Sequence, residues 1–302
     1  MSLVAVLLST YNGEKYLKEQ LDSLLFQTYQ NFEIIVRDDG SADDTLVILS
    51  QYKNIKVLKS NKNIGVKKSF SSLLEYAQKN TQNMYFMFCD QDDVWEKDKI
   101  ANTLARMQAL ENDFGIIPLL VHTDLEVVDD NLHRINTSFM KYQNLDVEKN
   151  NFNDLLLQNT ITGCTAMINR SLASLVLPIS SKCIMHDWWI GLVASKFGMI
   201  VYIDVPTIKY RQHTNNSIGT KGFTLNYLLD KSKDTSLIAK NISQAKSFLQ
   251  RYKNDLDAKS VAMLEDFISI ESQSFWKKRK ILFKHKLLKQ GLLRNLGLML
   301  KI

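Results

Sequence analysis

The chain has 302 residues, 45% of them apolar, with three prolines and a formal charge of +6. That composition excludes a disordered or fibrous chain and leaves room for one large domain, or a domain with a smaller companion. The charge is unevenly placed: Glu271 to Ile302 holds nine Lys/Arg and one acid, a balance of +8, so the remainder carries 29 against 31, or −2, which argues against a nucleic-acid-binding body. The cysteines Cys89, Cys164 and Cys183 are odd in number and lack metal-ligand spacing, as reduced thiols of a cytosolic protein would. Met1 to Leu8 has no basic leader or cleavage site and reads as a first strand. No run approaches the roughly 20 apolar residues of a spanning helix.

Leu3 to Ser9 is a continuous apolar run, the pattern of a buried parallel strand, and Thr10-Tyr11-Asn12-Gly13 is a turn. Tyr16, Leu17, Leu21, Leu24 and Leu25 recur at helical spacing. Phe32 to Val36 and Ile55 to Leu58 are the second and third strands, with a helix opened by Asp43 and Asp44 between them. A loop at Asn61 to Gly65 leads into a helix from about Lys67 to Lys79. Met84 to Cys89 is the fourth strand, followed by a helix from about Lys97 to Glu111. Strands alternating with helices predict an α/β fold with a mainly parallel sheet and right-handed crossovers. Beyond Asp113 the pattern loosens. Leu119 to Thr123, Leu125 to Val128, Ile200 to Ile203 and Thr207 to Arg211 read as strands, and Asn131 to Asn153 as a loop over the site. Thr162 to Asn169 reads as a turn into a strand, and His186 to Phe197 as a helix opened by Asp187. The chain divides into a body, residues 1–215, and a mainly helical module, residues 216–302.

The fourth strand ends in Asp90-Gln91-Asp92-Asp93, three carboxylates in four positions. Acids at the carboxyl end of a buried strand sit on the edge where open α/β sheets bind ligands. Such close like charges raise one another's pKa, and a divalent cation with a taste for hard oxygen relieves them. The plainer alternative is a polar helix start favoured by the helix dipole. Ser9 to Gly13 and Asp38-Asp39-Gly40-Ser41 end the first two strands on the same edge. There Tyr11 can stack on a nucleobase while a carboxylate accepts its ring N–H; the alternative for Asp38 to Ser41 is a turn that caps the next helix. Lys67 and Lys68 could contact phosphate or form a solvated basic face.

The ordered set S-T-Y-N-G, D-D-G-S-x-D-D-T, N-x-G, D-Q-D-D-x-W, T-G-C-T and H-D-W-W, over about residues 1–215, resembles the inverting GT-A glycosyltransferases of family 2. The closing Y-R-Q-H-x-x-N-x-x-G, at Tyr210 to Gly219, looks most like a bacterial rhamnosyltransferase-like branch. The resemblance implies a GT-A fold, with Tyr11 and Asp39 as nucleobase contacts and Asp90 in the D-x-D pair; Ser9 and Lys67, on the same edge, are taken into the donor-binding set with them. It also implies a manganese or magnesium ion on Asp92 and Asp90, with Asp93 orienting the pair, and Asp187 as general base. His213 completes the metal shell or contacts the diphosphate in this scheme; a structural histidine is the alternative. Trp188 and Trp189 would desolvate Asp187 and offer a sugar-stacking surface. Thr162-Gly163-Cys164 could let an acceptor approach the backbone closely, or form a tight turn before a core strand.

The implied reaction moves a sugar, L-rhamnose from dTDP-rhamnose or a hexose from a UDP-sugar, onto a lipid-linked or oligosaccharide acceptor in bacterial surface polysaccharide synthesis. Two competing functions fit parts of the chain. Asp90-Gln91-Asp92-Asp93-Val94 also fits the nucleophile motif of a haloacid-dehalogenase-like phosphatase acting through Asp90, although that motif normally begins its fold. A non-catalytic glycan-binding module on membranes is the other, and the intact acid set speaks against it. Finally, Phe275 to Ile302 interleaves basic residues with leucines behind an aromatic start, a pattern suited to an anionic membrane surface. That places the protein in the cytoplasm, peripheral on the inner face of the plasma membrane. The alternative is a tail packed on the body or on a second copy in a homo-oligomer.

Overall fold

The computed structural model describes residues 4–58, 60, 62–213 and 236–302. The elements run β1 (Val4–Thr10), α1 (Leu17–Leu25), β2 (Phe32–Asp38), α2 (Thr45–Ser50), β3 (Ile55–Leu58), α3 (Val66–Asn80), β4 (Tyr85–Cys89), β5 (Val94–Trp95) and α4 (Lys99–Phe114). There follow β6 (Leu119–Val128), β7 (Arg134–Asn136), α5 (Phe139–Tyr142), α6 (Phe152–Leu155), β8 (Met167–Asn169), α7 (Arg170–Val176), α8 (His186–Phe197) and β9 (Met199–Arg211). Four helices close the chain: α9 (Ser236–Tyr252), α10 (Ala258–Ile268), α11 (Phe275–Lys284) and α12 (Leu292–Lys301). The division at residues 215 and 216, and Asn216 and Gly219 of the closing motif, lie outside the described residues.

One sheet orders the strands β3-β2-β1-β4-β8-β6-β9-β5, with β7 beside β6. The first half is parallel, as the alternation of strands and helices predicts: β1 pairs with β2 and β4, and β2 with β3. Register then places Thr10 opposite Asp38, and Leu8 opposite Cys89, so the three motif-bearing strand ends share one carboxyl edge. The second half is mixed, because β8 is antiparallel to both β4 and β6, and β5 to β9. The two strands expected at 119–128 are one, β6, with register shifts around Asp124. Asp124 does not break the strand because its carboxylate accepts from Leu125 N, Phe139 N and Ser138 Oγ, turning a break into a bulge that caps α5. Likewise 199–211 is one strand, β9. The segment expected as a loop, 131–153, carries β7, α5 and the start of α6.

Alternate strand residues face two cores. Val4, Val6, Leu8, Ile34, Val36, Met87 and Cys89 meet α1 and α4 on one side. Ala5, Leu7, Ile35, Phe86 and Phe88 meet α3, α7 and α8 on the other. The second core continues into the C-terminal helices. Phe248 of α9 lies 5.8 Å from Trp189 of α8, and Leu264, Phe267, Leu282 and Leu287 are fully buried in the same cluster. Beyond packing, Asn153 Nδ2 donates to His285 O at 2.9 Å, and Gln290 N to Gln158 Oε1 at 2.8 Å. The inner face of the basic tail is therefore held against the 139–158 segment.

Candidate active site

At the end of β1, Ser9 Oγ and Ser69 Oγ share a hydrogen bond of 2.7 Å, which ties the strand to α3. Tyr11 beyond it keeps 48% of its surface exposed. Its backbone is clamped by Gln91 of the acid loop: Tyr11 N donates to Gln91 Oε1 at 2.8 Å, and Gln91 Nε2 to Tyr11 O at 3.0 Å. Gly13 makes room for this clamp, since a Cβ there would meet Gln91 Oε1 at 2.4 Å. The ring is thus displayed from a fixed backbone. Sequence reasoning passed over Gln91, whose only signal is its place inside the acid motif.

The two acids ending β2 have different jobs. Asp38 is buried and accepts from Thr10 Oγ1 at 3.0 Å, Gly40 N at 3.1 Å and Ser41 N at 2.9 Å, so it is the turn cap. Asp39 pairs with Arg37 and accepts from Ile64 N at 2.9 Å and Gly65 N at 2.8 Å, which fixes the loop before α3. Most of its acceptor capacity is met by the protein. Lys67 Nζ donates to Cys183 O at 2.7 Å and so links α3 to the segment that enters α8. Lys67, Lys68, Ser71, Ser72 and Ser180 line an open cavity of about 480 Å³.

In the acid loop, Asp92 Oδ2 lies 3.0 Å from His213 Nε2. Asp90 turns instead toward Asp93 and Cys164, their ligand-type atoms lying within 4.8 Å of one another. The expected trio Asp90, Asp92 and His213 is thus arranged as two adjoining groups, with the buried Asp93 in the second. Asp93 Oδ1 accepts from Arg211 N at 3.1 Å, and among the described residues its Oδ2 has no hydrogen-bond partner. Burial, then the charges of Asp92 and Asp187, push Asp90 up to about 7. Burial and the other two acids push Asp93 well above the usual carboxylate range. An orphaned carboxylate oxygen among crowded acids fits a hard divalent cation, held by Asp90 and Asp92 with His213 and Asp93 beside them. Cys164 does not fit as a ligand to such an ion, because a soft sulfur is a poor partner for a hard cation.

Arg211, buried at the end of β9, braces this loop. Its Nε donates to Asp92 O at 3.0 Å, its guanidinium pairs with Glu19 and bonds Asp130 O, and it lies 4.4 Å over the Tyr16 ring. A charged residue at a strand end carries no signal of this burial in the sequence.

Asp187 stands in the first turn of α8. Its Oδ2 accepts from Gly163 N at 3.1 Å and its Oδ1 from Trp188 N at 2.7 Å. Burial raises its pKa to about 6, against those hydrogen bonds, which lower it. Gly163, its hydrogen-bond donor, adjoins Cys164, which lies with Asp90 and Asp93, and the Asp187 charge raises Asp90. The tryptophans are not a sugar-stacking surface. Both are buried, and their indole N–H groups donate to Leu155 O at 2.5 Å and Val176 O at 3.3 Å. An apolar helix whose far side packs on α9 leaves no room for an exposed ring.

Comparison with known proteins comes to the same place. Residues 5–176 match the family described as glycosyl transferase family 2. An uncharacterized glycosyltransferase of Rickettsia typhi is 30% identical over 223 residues, covering 72% of this chain and 66% of that protein. The dTDP-rhamnosyl transferase RfbG of Shigella flexneri is 30% identical over 226 residues, covering 70% of this chain and 73% of that protein. The chain thus spans about two thirds of the length of such relatives. Among solved structures, Staphylococcus aureus TarS 1–349 in complex with UDP-GlcNAc superposes with a TM-score of 0.57 at 19% identity, over 94% of this chain and 73% of that one. The mannosyltransferase PcManGT of Pyrobaculum calidifontis in complex with GDP-Man and Mn2+ gives 0.55 at 13% identity, over 99% and 78%. These structural likenesses share the GT-A-like α/β fold, and the phosphatase alternative falls away with the family match.

Proposed function

The chain belongs to glycosyl transferase family 2, and from that membership we propose that it transfers a sugar with inversion from a nucleotide diphosphate to a saccharide hydroxyl in the building of bacterial surface polysaccharide. The observation that carries this proposal is the turn at Gly163 and Cys164, which joins Asp187 to the acid loop: Gly163 N donates to Asp187 Oδ2 at 3.1 Å, and Cys164 lies in the group with Asp90 and Asp93. Tyr11 stacks on the nucleobase and Asp39 shapes its pocket. Ser9 and Lys67 fix the walls that receive the donor. A manganese or magnesium ion, when held by Asp90 and Asp92, neutralises the leaving diphosphate; the Mn2+ that accompanies GDP-Man in the PcManGT complex supports that choice.

Asp187 accepts the proton of the acceptor hydroxyl as its oxygen bonds the anomeric carbon. The bond from that carbon to the diphosphate breaks on the opposite face, and its electron pair leaves with the phosphate oxygen. One carboxylate suffices because attack is direct. Gly163 N holds Asp187 in place throughout. The kinship with the Shigella protein favours dTDP-L-rhamnose as donor, with UDP-hexoses next.

The acceptor is a glycan carried on a lipid, and the enzyme works at an anionic membrane face. Trp276 is 79% exposed and Leu300 88%, and the outer sides of α11 and α12 add Phe275, Phe283, Leu292 and Leu296 among the lysines. No helix among the described residues is long and apolar enough to cross a membrane. The stereochemistry is tested by proton NMR of the product: an anomeric configuration opposite to the donor's is expected, and a retained one would refute direct displacement.

A further inference from the structure

Lys99 opens α4, eight positions after the acid loop's Gln91. A lysine is disfavoured there by the helix dipole, and this one is also fully buried. Its Nζ lies 3.3 Å from Thr207 Oγ1, 3.5 Å from Thr165 O and 4.7 Å over the Trp95 ring. Both hydrogen-bond acceptors are neutral, so its charge is not cancelled by contact. Burial lowers its pKa to about 8, which leaves it a cation at neutral pH. An uncancelled buried ammonium is costly unless the field around it is negative. That field is at hand: Thr165, which Lys99 touches, adjoins Cys164, whose sulfur lies within 4.8 Å of carboxylate oxygens of Asp90 and Asp93, and Asp93 favours the lysine's charge.

We propose that Lys99 is the permanent internal counter-charge of the acid loop and sets how strongly that loop takes a divalent cation. The inference rests on the metal assignment above. With an ion bound and the three carboxylates ionised by it, the acids, one lysine and one divalent ion sum to zero, and the other buried cation nearby, Arg211, is already met by Glu19. Standing off from the carboxylates matters. A contact pair would occupy Asp93 Oδ2, whereas Lys99 compensates the charge and leaves that oxygen unpartnered. Its bonds to Thr165 and Thr207 hold it at that remove, and Thr207 Oγ1 is itself fixed by Thr123 Oγ1 at 2.6 Å.

A counter-charge and a merely structural lysine predict opposite changes. Lys99→Met removes a repulsion on the incoming cation and should bind Mn2+ about 10-fold tighter, the scale of charges several ångströms apart in a partly buried site. Lys99→Arg keeps the charge and should stay near wild type. Free Mn2+ is read by electron paramagnetic resonance, and melting temperature is recorded with and without the ion. Lys99→Met should show the larger rise in melting temperature on adding Mn2+, and if it folds only when Mn2+ is present the inference stands. Affinity equal to or weaker than wild type, or no folding even with Mn2+, overturns it. Wild-type protein that binds no Mn2+ overturns the metal assignment as well, a result distinct from wild-type binding that Lys99→Met leaves unchanged.

Discussion

Gly163 donates its backbone N–H to Asp187 Oδ2 across 3.1 Å, and only glycine fits that contact: a Cβ would stand 2.9 Å from Nε2 of His186 and 3.4 Å from Cβ of Asp187. His186 cannot easily yield, because its ring is stacked on Phe70 at 4.2 Å and tilted against Phe88 at 5.2 Å. Gly163→Ala should therefore push the turn away from the carboxylate. A hydrogen bond to a charged acceptor contributes about 1.5–3 kcal/mol. Its weakening should cost roughly 10-fold in kcat and move the acid limb of the rate profile to higher pH. A kcat–pH profile of the variant checks both.

Asp187→Asn should lower turnover by roughly 10²- to 10⁴-fold, the range for a lost general base, and leave donor affinity near wild type. The wild-type pH dependence has a definite sign. Asp187 works as the carboxylate, so activity should be level above its pKa of about 6 and fall as pH drops through that value. A steady-state profile from pH 5 to 8 shows this limb. Its persistence in Asp187→Asn would assign the limb to another group.

Asp92→Ala should abolish metal-dependent donor binding, since Asp92 is the acid that His213 Nε2 meets at 3.0 Å and the one the resemblance assigns to the ion. Calorimetry with UDP or dTDP, with and without Mn2+, is the measurement. Unchanged metal-dependent affinity would move the ion to Asp90 and Asp93.

The exposed tail can be tested without cutting it. Removing 275–302 would take away Leu282 and Leu287, which are fully buried, and uncover the core they pack in. Substituting Trp276→Ala, Leu296→Ser and Leu300→Ser together touches only exposed side chains. Binding to vesicles with anionic lipid should fall about 10-fold or more, while nucleotide release stays at the wild-type rate. Each basic residue near the surface adds about 1 kcal/mol, so residual binding should weaken further with salt. Equal sedimentation of both proteins would show that this face meets protein instead.

Phe248→Ala should destabilise the whole chain by about 3–5 kcal/mol, the cost of emptying a buried phenylalanine site. Phe248 packs on Trp189 and Phe197 of α8, so the loss should appear in one unfolding transition shared with the catalytic body. Two separate transitions in urea, with only the smaller one shifted, would make residues 236–302 an independent unit.

The parallel half of the sheet was legible because β1 and β4 are continuous apolar runs, β2 and β3 are short mostly apolar stretches, and helical patterns alternate with them. The acid loop and Asp187 were legible for a related reason: charge placed directly after apolar strands or beside large rings has few structural uses. β5 and β7 have two and three residues, too few for any period to show, whereas the equally short β8 was expected from the turn that leads into it. α7 was missed because its start is set from outside the helix. Asn169 Oδ1 accepts from Leu172 N at 3.0 Å and from Leu119 N of β6 at 3.1 Å, a tertiary arrangement no local pattern announces. Arg211, Gln91 and Lys99 escaped for the same cause. Each looks like surface in the sequence, and each gains its role only when distant strand ends meet.

The account turns on Asp187 and the acid loop serving one transfer. The most direct test incubates wild type and Asp187→Asn with dTDP-rhamnose and UDP-hexoses in Mn2+ or Mg2+, adds lipid-linked saccharide acceptors, and measures nucleotide release. The account predicts release from one donor, dependent on the ion, accelerated by acceptor in wild type and not in Asp187→Asn. Release that proceeds equally in both proteins, or without any divalent ion, would contradict it.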